Sequence, residues 1–183
     1  MQKISKHYKF VINLLNSLAP FIPLLLLRLV LAWEFGESGL EKLQGTNWFA
    51  ELSFPFPFSL LSAETNWALS SWFELIGAVA LLLGVATRFF SLSLMTITIV
   101  AILSVHWPEH FNSMSEFLRG YRLVDEYSDG FGNYKLPVIY LVMFLPLLFN
   151  GAGKLSLDFL INKFLLRFMT LPLLASKHHK PQR

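Results

Sequence analysis

Residues 24–43 read LLLLRLVLAWEFGESGLEKL, and this stretch decides how the rest of the chain is interpreted. It begins as an apolar run suited to a helix in lipid, and it then places charges at depths where a charge is costly. At about 100° per residue, Glu34, Glu37 and Glu41 lie on one side of the helix, whereas Arg28 points away from it. Charged groups in a spanning helix normally pair inside the bundle. The stretch therefore predicts a membrane-spanning helix with a buried charged site.

The composition of the whole chain agrees with a membrane protein. Of 183 residues, 54% are hydrophobic and 15% are charged, whereas soluble domains are about 25% charged. The sequence has no cysteine, which excludes disulfides, thiolate catalysis and Cys-ligated metals. It also has no phosphate loop and no Gly-rich dinucleotide motif. Its basic residues concentrate towards the two ends, which indicates the lipid bilayer, and not nucleic acid, as the partner.

The order of apolar and amphipathic segments predicts an all-α fold, an integral membrane four-helix bundle with an interfacial amphipathic helix at each end. The predicted parts are an interfacial helix, a membrane domain, a second interfacial helix and a basic tail, at residues 1–19, 20–153, 154–175 and 176–183. The four spans of the membrane domain are expected at about residues 21–43, 67–86, 89–107 and 136–150.

Small residues on the second span predict where another helix packs closely. Gly77, Ala80 and Gly84 lie on the same face as Glu74, and small side chains let two helices approach. Arg88 is expected in a very short turn that makes spans two and three a tight hairpin. Because this face packs most closely, Glu74 is expected to point into the bundle.

The antiparallel arrangement of the first two spans predicts which charges meet. Glu74, at the beginning of span two, is level with the end of span one. We therefore expect an acidic cluster of Glu34, Glu37 and Glu74 with Lys42 as counter-ion. Arg28 is expected to pair separately, with Asp158 or along its own helix with Glu34. Neighbouring carboxylates that share a proton would suit a proton or quinone site.

The segment HWPEH at residues 106–110 allows a metal hypothesis, because imidazoles and carboxylates are common ligands. Pro108 lies between His106 and His110 and breaks the helical spacing that would bring the two rings together. An interfacial histidine cluster is the favoured interpretation. His106 and His110 are only weak metal candidates, and no metal is assigned.

Three groups of residues together resemble the DoxX family of small four-helix membrane proteins, over about residues 20–160. They are LRL at 27–29 with GLEKL at 39–43, ELIG at 74–77 with GVATR at 84–88, and GAGKLSLD at 151–158. The family-motif positions in these groups are Gly39, Arg88, Gly153, Ser156 and Asp158.

The resemblance implies a role in a membrane redox system. The family includes subunits linked to quinone-coupled sulfur and terminal oxidase systems, and members tied to redox-stress complexes. The pieces Asn47–Phe49, Phe54–Phe58 and Val105–Pro108 are similar to a branch associated with maturation of copper-binding peptides. An accessory subunit of such a system is the first hypothesis, with another membrane protein or a peptide-modifying protein as partner and copper only through that partner.

Two alternatives stay open beside the accessory role. One is a quinone-binding oxidoreductase subunit, with quinone as the cofactor, and the other is a small transporter or proton pathway. A quinone enzyme needs electrons from a redox centre, and this chain offers no cysteine and no clear haem ligand pair. A transporter would be supported by an inverted repeat, which the sequence does not show. Whether the chain catalyses a reaction itself is left undecided.

The distribution of basic residues predicts a protein of the bacterial inner membrane with both termini in the cytoplasm. Ten Lys and Arg residues fall on the side of the termini and four on the opposite side, and cytoplasmic segments carry the excess of positive charge. A topology reporter fused after Arg183 should give a cytoplasmic signal, and one inserted in the segment 108–135 a periplasmic signal. A periplasmic signal from the Arg183 fusion would contradict this topology.

Overall fold

The computed structural model describes residues 2–166 of the chain, with side chains from residue 6 onward. Its helices are α1 to α6, at Gln2–Leu18, Ile22–Gln44, Ala63–Leu83, Thr87–Ala101, Met114–Arg119 and Lys135–Asn150. A π-helical turn at Ile102–His106 continues α4, 3₁₀ turns lie at Phe49–Glu51 and Phe58–Leu60, and a further helix, α7, is described over 157–166. The described residues contain no strand, so the all-α prediction is confirmed.

The apolar helices agree with a protein that lies in the membrane. Helix α3 and the continuous helix Thr87–His106 are each long and apolar enough to cross a bilayer. Helix α2 meets the same criterion only together with Lys6–Leu18, from which it is bent by 49°. Helix α6 is apolar but has only 16 residues. The membrane fold therefore stands, whereas four crossings remain a prediction.

The bounds of helix α3 differ from those of the predicted second span, 67–86, because of the residues at its two ends. Helix α3 begins earlier, at Ala63, because the Ser62 hydroxyl accepts the backbone N–H of Thr65 as an N-cap. It ends at Leu83 because Gly84 adopts the left-handed conformation, with φ of 68°. The sequence predicts Arg88 in the turn between the two helices. In the structure Arg88 lies instead in the first turn of α4.

The long helices pack around one apolar core. Helix α2 packs mainly on α3, and α6 packs on α4 and α2. Leu31, Leu81, Leu94, Phe144 and Leu147, from all four helices, are completely buried. Burial of such side chains is the main favourable contribution to helix packing outside lipid, and tight van der Waals contact is the main contribution within it.

Glycines of α2, and not the predicted stripe on α3, permit the closest contact between α2 and α3. A Cβ at Gly39 would lie 3.0 Å from the Leu75 nitrogen and 3.1 Å from the Ser71 carbonyl oxygen. Gly77 instead faces α4, since a Cβ there would lie 3.0 Å from Leu94. Ala80 is buried, and Gly84 terminates the helix. The small-residue face predicted from α3 is thus divided between two neighbours.

Arg28 is buried where α2 begins, with only 1% of its surface exposed. Its Nη1 donates to the Leu81 carbonyl oxygen at 3.3 Å and its Nη2 to the Leu155 carbonyl oxygen at 2.5 Å. Gly84 leaves the space for the guanidinium, because a Cβ there would lie 2.0 Å from Nη1. The carboxylate of Asp158 attracts the charge of Arg28 without a direct ion pair. The cation is thus compensated mainly by backbone carbonyls.

Asp158 joins the start of α7 to the turn between α3 and α4. Its two carboxylate oxygens accept the N–H groups of Ala86 and Thr87 at 2.8 and 3.0 Å, which caps the N-terminus of α4. Its own N–H donates to the Gly84 carbonyl oxygen at 2.8 Å. Ser156 accepts the N–H of Phe159 at 3.2 Å and so caps α7. We call this set of contacts around Arg28, Gly84 and Asp158 the Arg28 junction.

The long segment between α4 and α6 is held by a second arginine. Arg122 binds Asp125 at 2.5 Å, binds Asp129, and donates to the Gly132 carbonyl oxygen at 2.9 Å. The hydrogen bond from Arg122 lowers the pKa of Asp129 to about 2. Because the pKa is lowered on folding, this contact is present at neutral pH and is lost as the pH falls towards 2.

The two predicted interfacial helices lie at the surface. Every described side chain of α1 is exposed, and nearly every one of α7 is too. Both helices expose large apolar residues, including Phe10, Leu15, Phe164 and Leu165. The remainder of the second predicted interfacial helix, 167–175, and the basic tail, 176–183, lie outside the described residues.

The close contact at Gly39 predicts that alanine substitutions at two glycines of α2 differ sharply in their effect on stability. Gly39→Ala should lower the free energy of unfolding by about 1–3 kcal/mol, because the new methyl group meets α3 backbone. Gly36→Ala is the matched control, since its Cβ would lie at an ordinary 3.4 Å from the Ala78 Cβ. Thermal unfolding in mild detergent measures both. Equal midpoints for the two variants would contradict the close contact.

The Arg28 junction predicts that two arginines differ strongly in their effect on stability. Arg28→Gln should cost about 2–3 kcal/mol, because charge-assisted hydrogen bonds to two carbonyls are lost. Arg88→Gln serves as control, since Arg88 is exposed and, among residues 2–166, bonds only the Phe149 carbonyl oxygen, at 3.1 Å. The same thermal assay compares them, and an Arg88 effect as large as that of Arg28 would refute the assignment.

Candidate functional site

A cavity of about 610 Å³ lies at the other end of the bundle, where α2 ends and α3 and α6 begin. We call this the Lys42 end. Ligand sites in proteins commonly have volumes of about 300–1,000 Å³. The walls come from α2, α3, the continuous helix 87–106 and α6, and residues of the loop 45–62 cover the cavity. The lining includes seven aromatic rings, namely Phe35, Trp48, Phe49, Phe54, Phe58, Phe73 and Tyr140.

The cavity is open at the protein surface. The lining residues that are exposed are Trp48, Leu69, Phe73, Thr96 and Val105. Three of them, Leu69, Phe73 and Thr96, belong to α3 and α4, which are parts of the two helices long and apolar enough to cross a bilayer.

Lys42 and Glu74 form an ion pair on the wall, with 2.6 Å between Nζ and Oε2 and side chains that are 15% and 5% exposed. Lys42 also donates to Ser38 at 2.7 Å, and Ser70 donates to the second carboxylate oxygen of Glu74 at 3.0 Å. Both charges are thus compensated, as buried ions require. Lys42, expected as the counter-ion of a cluster of three carboxylates, forms its ion pair with Glu74.

The three carboxylates expected in one cluster are separated in the structure. Glu34 lines the cavity and accepts a hydrogen bond from the hydroxyl of Tyr140. Glu74 is held by Lys42 and Ser70. Glu37 is exposed and does not line the cavity, because its position on α2 turns it towards the surface. The wall therefore carries two separate polar pairs, and the expected sharing of a proton between Glu34, Glu37 and Glu74 is not what this geometry provides.

His106 lies on the cavity wall at the end of the π-helical turn. Its Nδ1 is 2.6 Å from the Oδ1 of Asn133. The His110 ring lies against Phe131, with 5.4 Å between ring centroids. No three His, Asp or Glu side chains within residues 2–166 form a group that could hold a metal ion. The two histidines thus have different surroundings, as the break at Pro108 indicates.

Several residues of the cavity were not singled out in the sequence. Tyr140 is the only hydrogen-bonding side chain between Leu136 and Phe149, so its isolation in an apolar span was a usable signal. Ser38 and Ser70 gave no such signal, because serine is common in membrane helices. Asn133 could not have been assigned, since its partner His106 is 27 residues away.

The cavity and the Arg28 junction are separate sites. None of Arg28, Gly84 and Asp158 lines the cavity, and the fully buried side chains of Leu31, Leu81 and Leu94 belong to the core that packs the helices together. The bundle therefore has a cavity at one end and the Arg28 junction at the other. The leucines of the core lie between the charge of Arg28 and the charges of Lys42 and Glu74.

The family-motif residues lie outside the cavity. Gly39 permits close packing of α2 on α3, and Arg88 bonds the end of α6. Gly153, in the left-handed region with φ of 78°, accepts a hydrogen bond from Ser156 at 2.6 Å. Asp158 caps α4. These residues act on the helix arrangement.

Comparison with known proteins agrees with this architecture. The family model DoxX matches residues 23–107, which contain α3, α4 and nearly all of α2. An uncharacterized protein of Haemophilus influenzae is 48% identical over 144 residues, which cover 78% of this chain and 85% of that protein. No solved structure matches the chain. On the family match and the helix arrangement, the protein belongs to the DoxX family of membrane proteins.

Proposed function

We propose that this protein is an integral membrane subunit of a redox system and that it binds a lipid-soluble quinone in the cavity at the Lys42 end. The observation that carries the proposal is the cavity itself, about 610 Å³ in volume, with seven aromatic rings in its lining and an opening at the protein surface. A quinone is a flat ring with an apolar tail. The ring matches the aromatic walls, and the tail is proposed to leave past Leu69 and Phe73 into the bilayer.

The polar groups of the wall match the oxygen atoms of such a ring. Lys42 and Ser38 can donate hydrogen bonds, and His106 can accept one. A few polar groups in an apolar cavity fix the orientation of a ligand and give it specificity.

The electrons are proposed to come from a partner protein. The chain has no cysteine and cannot ligate an iron–sulfur cluster through thiolates. A quinone bound here would therefore exchange electrons with a second protein that carries the redox centre. This is the accessory role that family resemblance implies.

Maturation of copper-binding peptides is a second candidate, which one observation favours. The pieces that resemble that branch contain Trp48, Phe49, Phe54, Phe58, Val105 and His106, and all six residues line the cavity. A role in that branch would thus use the same cavity, with copper handled by the partner. A proton pathway receives less support, because neither Arg28 nor Asp158 lines the cavity.

The proposed orientation places the Arg28 junction near the cytoplasm and the cavity in the outer half of the inner membrane. It rests on the excess of basic residues on the side of both termini. The segment 108–135 and the cover formed by loop 45–62 would then face the periplasm.

Blocking the cavity tests the proposal. Ala101 lines it, so Ala101→Trp should fill part of it and weaken binding of a short-chain benzoquinone at least about tenfold, equivalent to about 1.4 kcal/mol. Leu103→Trp is the matched control, since Leu103 is on the same helix, exposed and outside the lining. Calorimetric titration in lipid nanodiscs measures both. No quinone binding by the wild-type protein, or equal binding by both variants, would refute the proposed function.

A further inference from the structure

We infer that the cavity binds the reduced quinol more tightly than the oxidised quinone, because His106 presents a hydrogen-bond acceptor to the ligand. The inference rests on the proposed quinone-binding function. It adds a property that the shape of the cavity alone does not give, namely a preference for one redox state.

The contact with Asn133 sets the tautomer of His106. The Nδ1 atom lies 2.6 Å from an amide oxygen, and an amide oxygen can only accept a hydrogen bond. The proton of the neutral imidazole is therefore on Nδ1, and Nε2 carries a lone pair. No hydrogen bond from another described residue occupies Nε2. Because His106 lines the cavity and its Nδ1 is engaged by Asn133, Nε2 is the ring nitrogen left for a bound ligand.

The backbone also holds His106 in place. The Asn133 N–H donates to the His106 carbonyl oxygen at 3.1 Å. Gly132 packs against the same carbonyl, since a Cβ there would lie 2.2 Å from it. Both contacts come from the segment before α6, and the ring is carried by a π-helical turn, a feature that is often found at functional sites. The acceptor is thus positioned before a ligand arrives.

The two redox forms differ in what they offer to this acceptor. A quinol hydroxyl can donate to Nε2, whereas a quinone carbonyl has only lone pairs and leaves Nε2 without a partner. One hydrogen bond gained and one buried acceptor satisfied correspond to about a tenfold preference.

The other charged groups of the wall are already paired. Lys42 binds Glu74 and Ser38, and Tyr140 donates to Glu34. These pairs satisfy one another before a ligand binds, so they distinguish the two forms less than the open Nε2 does.

The test measures the dissociation constants of a short-chain benzoquinone and of the corresponding hydroquinone, the latter without oxygen, in lipid nanodiscs. The wild-type protein should bind the hydroquinone about tenfold more tightly, which raises the midpoint potential of the bound two-electron couple by about 30 mV. His106→Phe should weaken hydroquinone binding about tenfold, leave quinone binding unchanged and remove the potential shift.

Two further variants keep the result decisive. His110→Phe, the same substitution at a ring that does not line the cavity, should retain the wild-type ratio. Asn133→Leu removes the partner of Nδ1, frees the tautomer and should reduce the ratio while His106 remains in place, which also covers the case in which His106→Phe fails to fold.

The failure of this inference differs from the failure of the proposed function. If neither form binds the wild-type protein, the quinone-binding function is wrong. If both forms bind equally, or if His106→Phe leaves the ratio unchanged, the cavity binds quinones and the role of His106 is overturned.

Discussion

The buried guanidinium of Arg28 is the constraint on which the helix arrangement depends. A charge that is only 1% exposed inside a membrane bundle must be compensated, and here the Leu81 and Leu155 carbonyls do so. The guanidinium needs the space at Gly84, and the left-handed conformation of that glycine also ends α3. The turn that follows exposes the N-terminus of α4, which Asp158 caps. One buried cation thus links α2, α3, α4 and α7.

At the Lys42 end of the bundle, buried charge is compensated by an opposite side-chain charge. Lys42 and Glu74 neutralise each other across the α2–α3 contact, and Ser38 and Ser70 complete their hydrogen bonding. Because these charges are satisfied within the wall, the wall can enclose an open, largely apolar space. The two ends of the bundle thus compensate buried charge in two ways, by backbone carbonyls at the Arg28 junction and by an opposite side-chain charge at the Lys42 end.

The residues through which the sequence resembles the family differ from those that surround the cavity. Gly39, Gly153 and Asp158 arrange the helices. Phe54, Phe58 and His106 line the cavity and would contact a ligand there, so they bear on which molecule is bound. Membership of the DoxX family therefore establishes the scaffold, and the proposed ligand rests on the lining.

The sequence by itself determined the membrane class, the all-α fold and the presence of costly charges at Arg28 and Glu74, because hydropathy, periodicity and the depth of a charge are local properties. It also indicated Lys42 as a counter-ion, since antiparallel spans bring the end of one beside the start of the next. Only the tertiary structure decided that carbonyls receive Arg28, that Glu37 faces outward and that Asn133 orients His106. These outcomes depend on helix rotation and on contacts across long sequence separations, which the linear pattern does not specify.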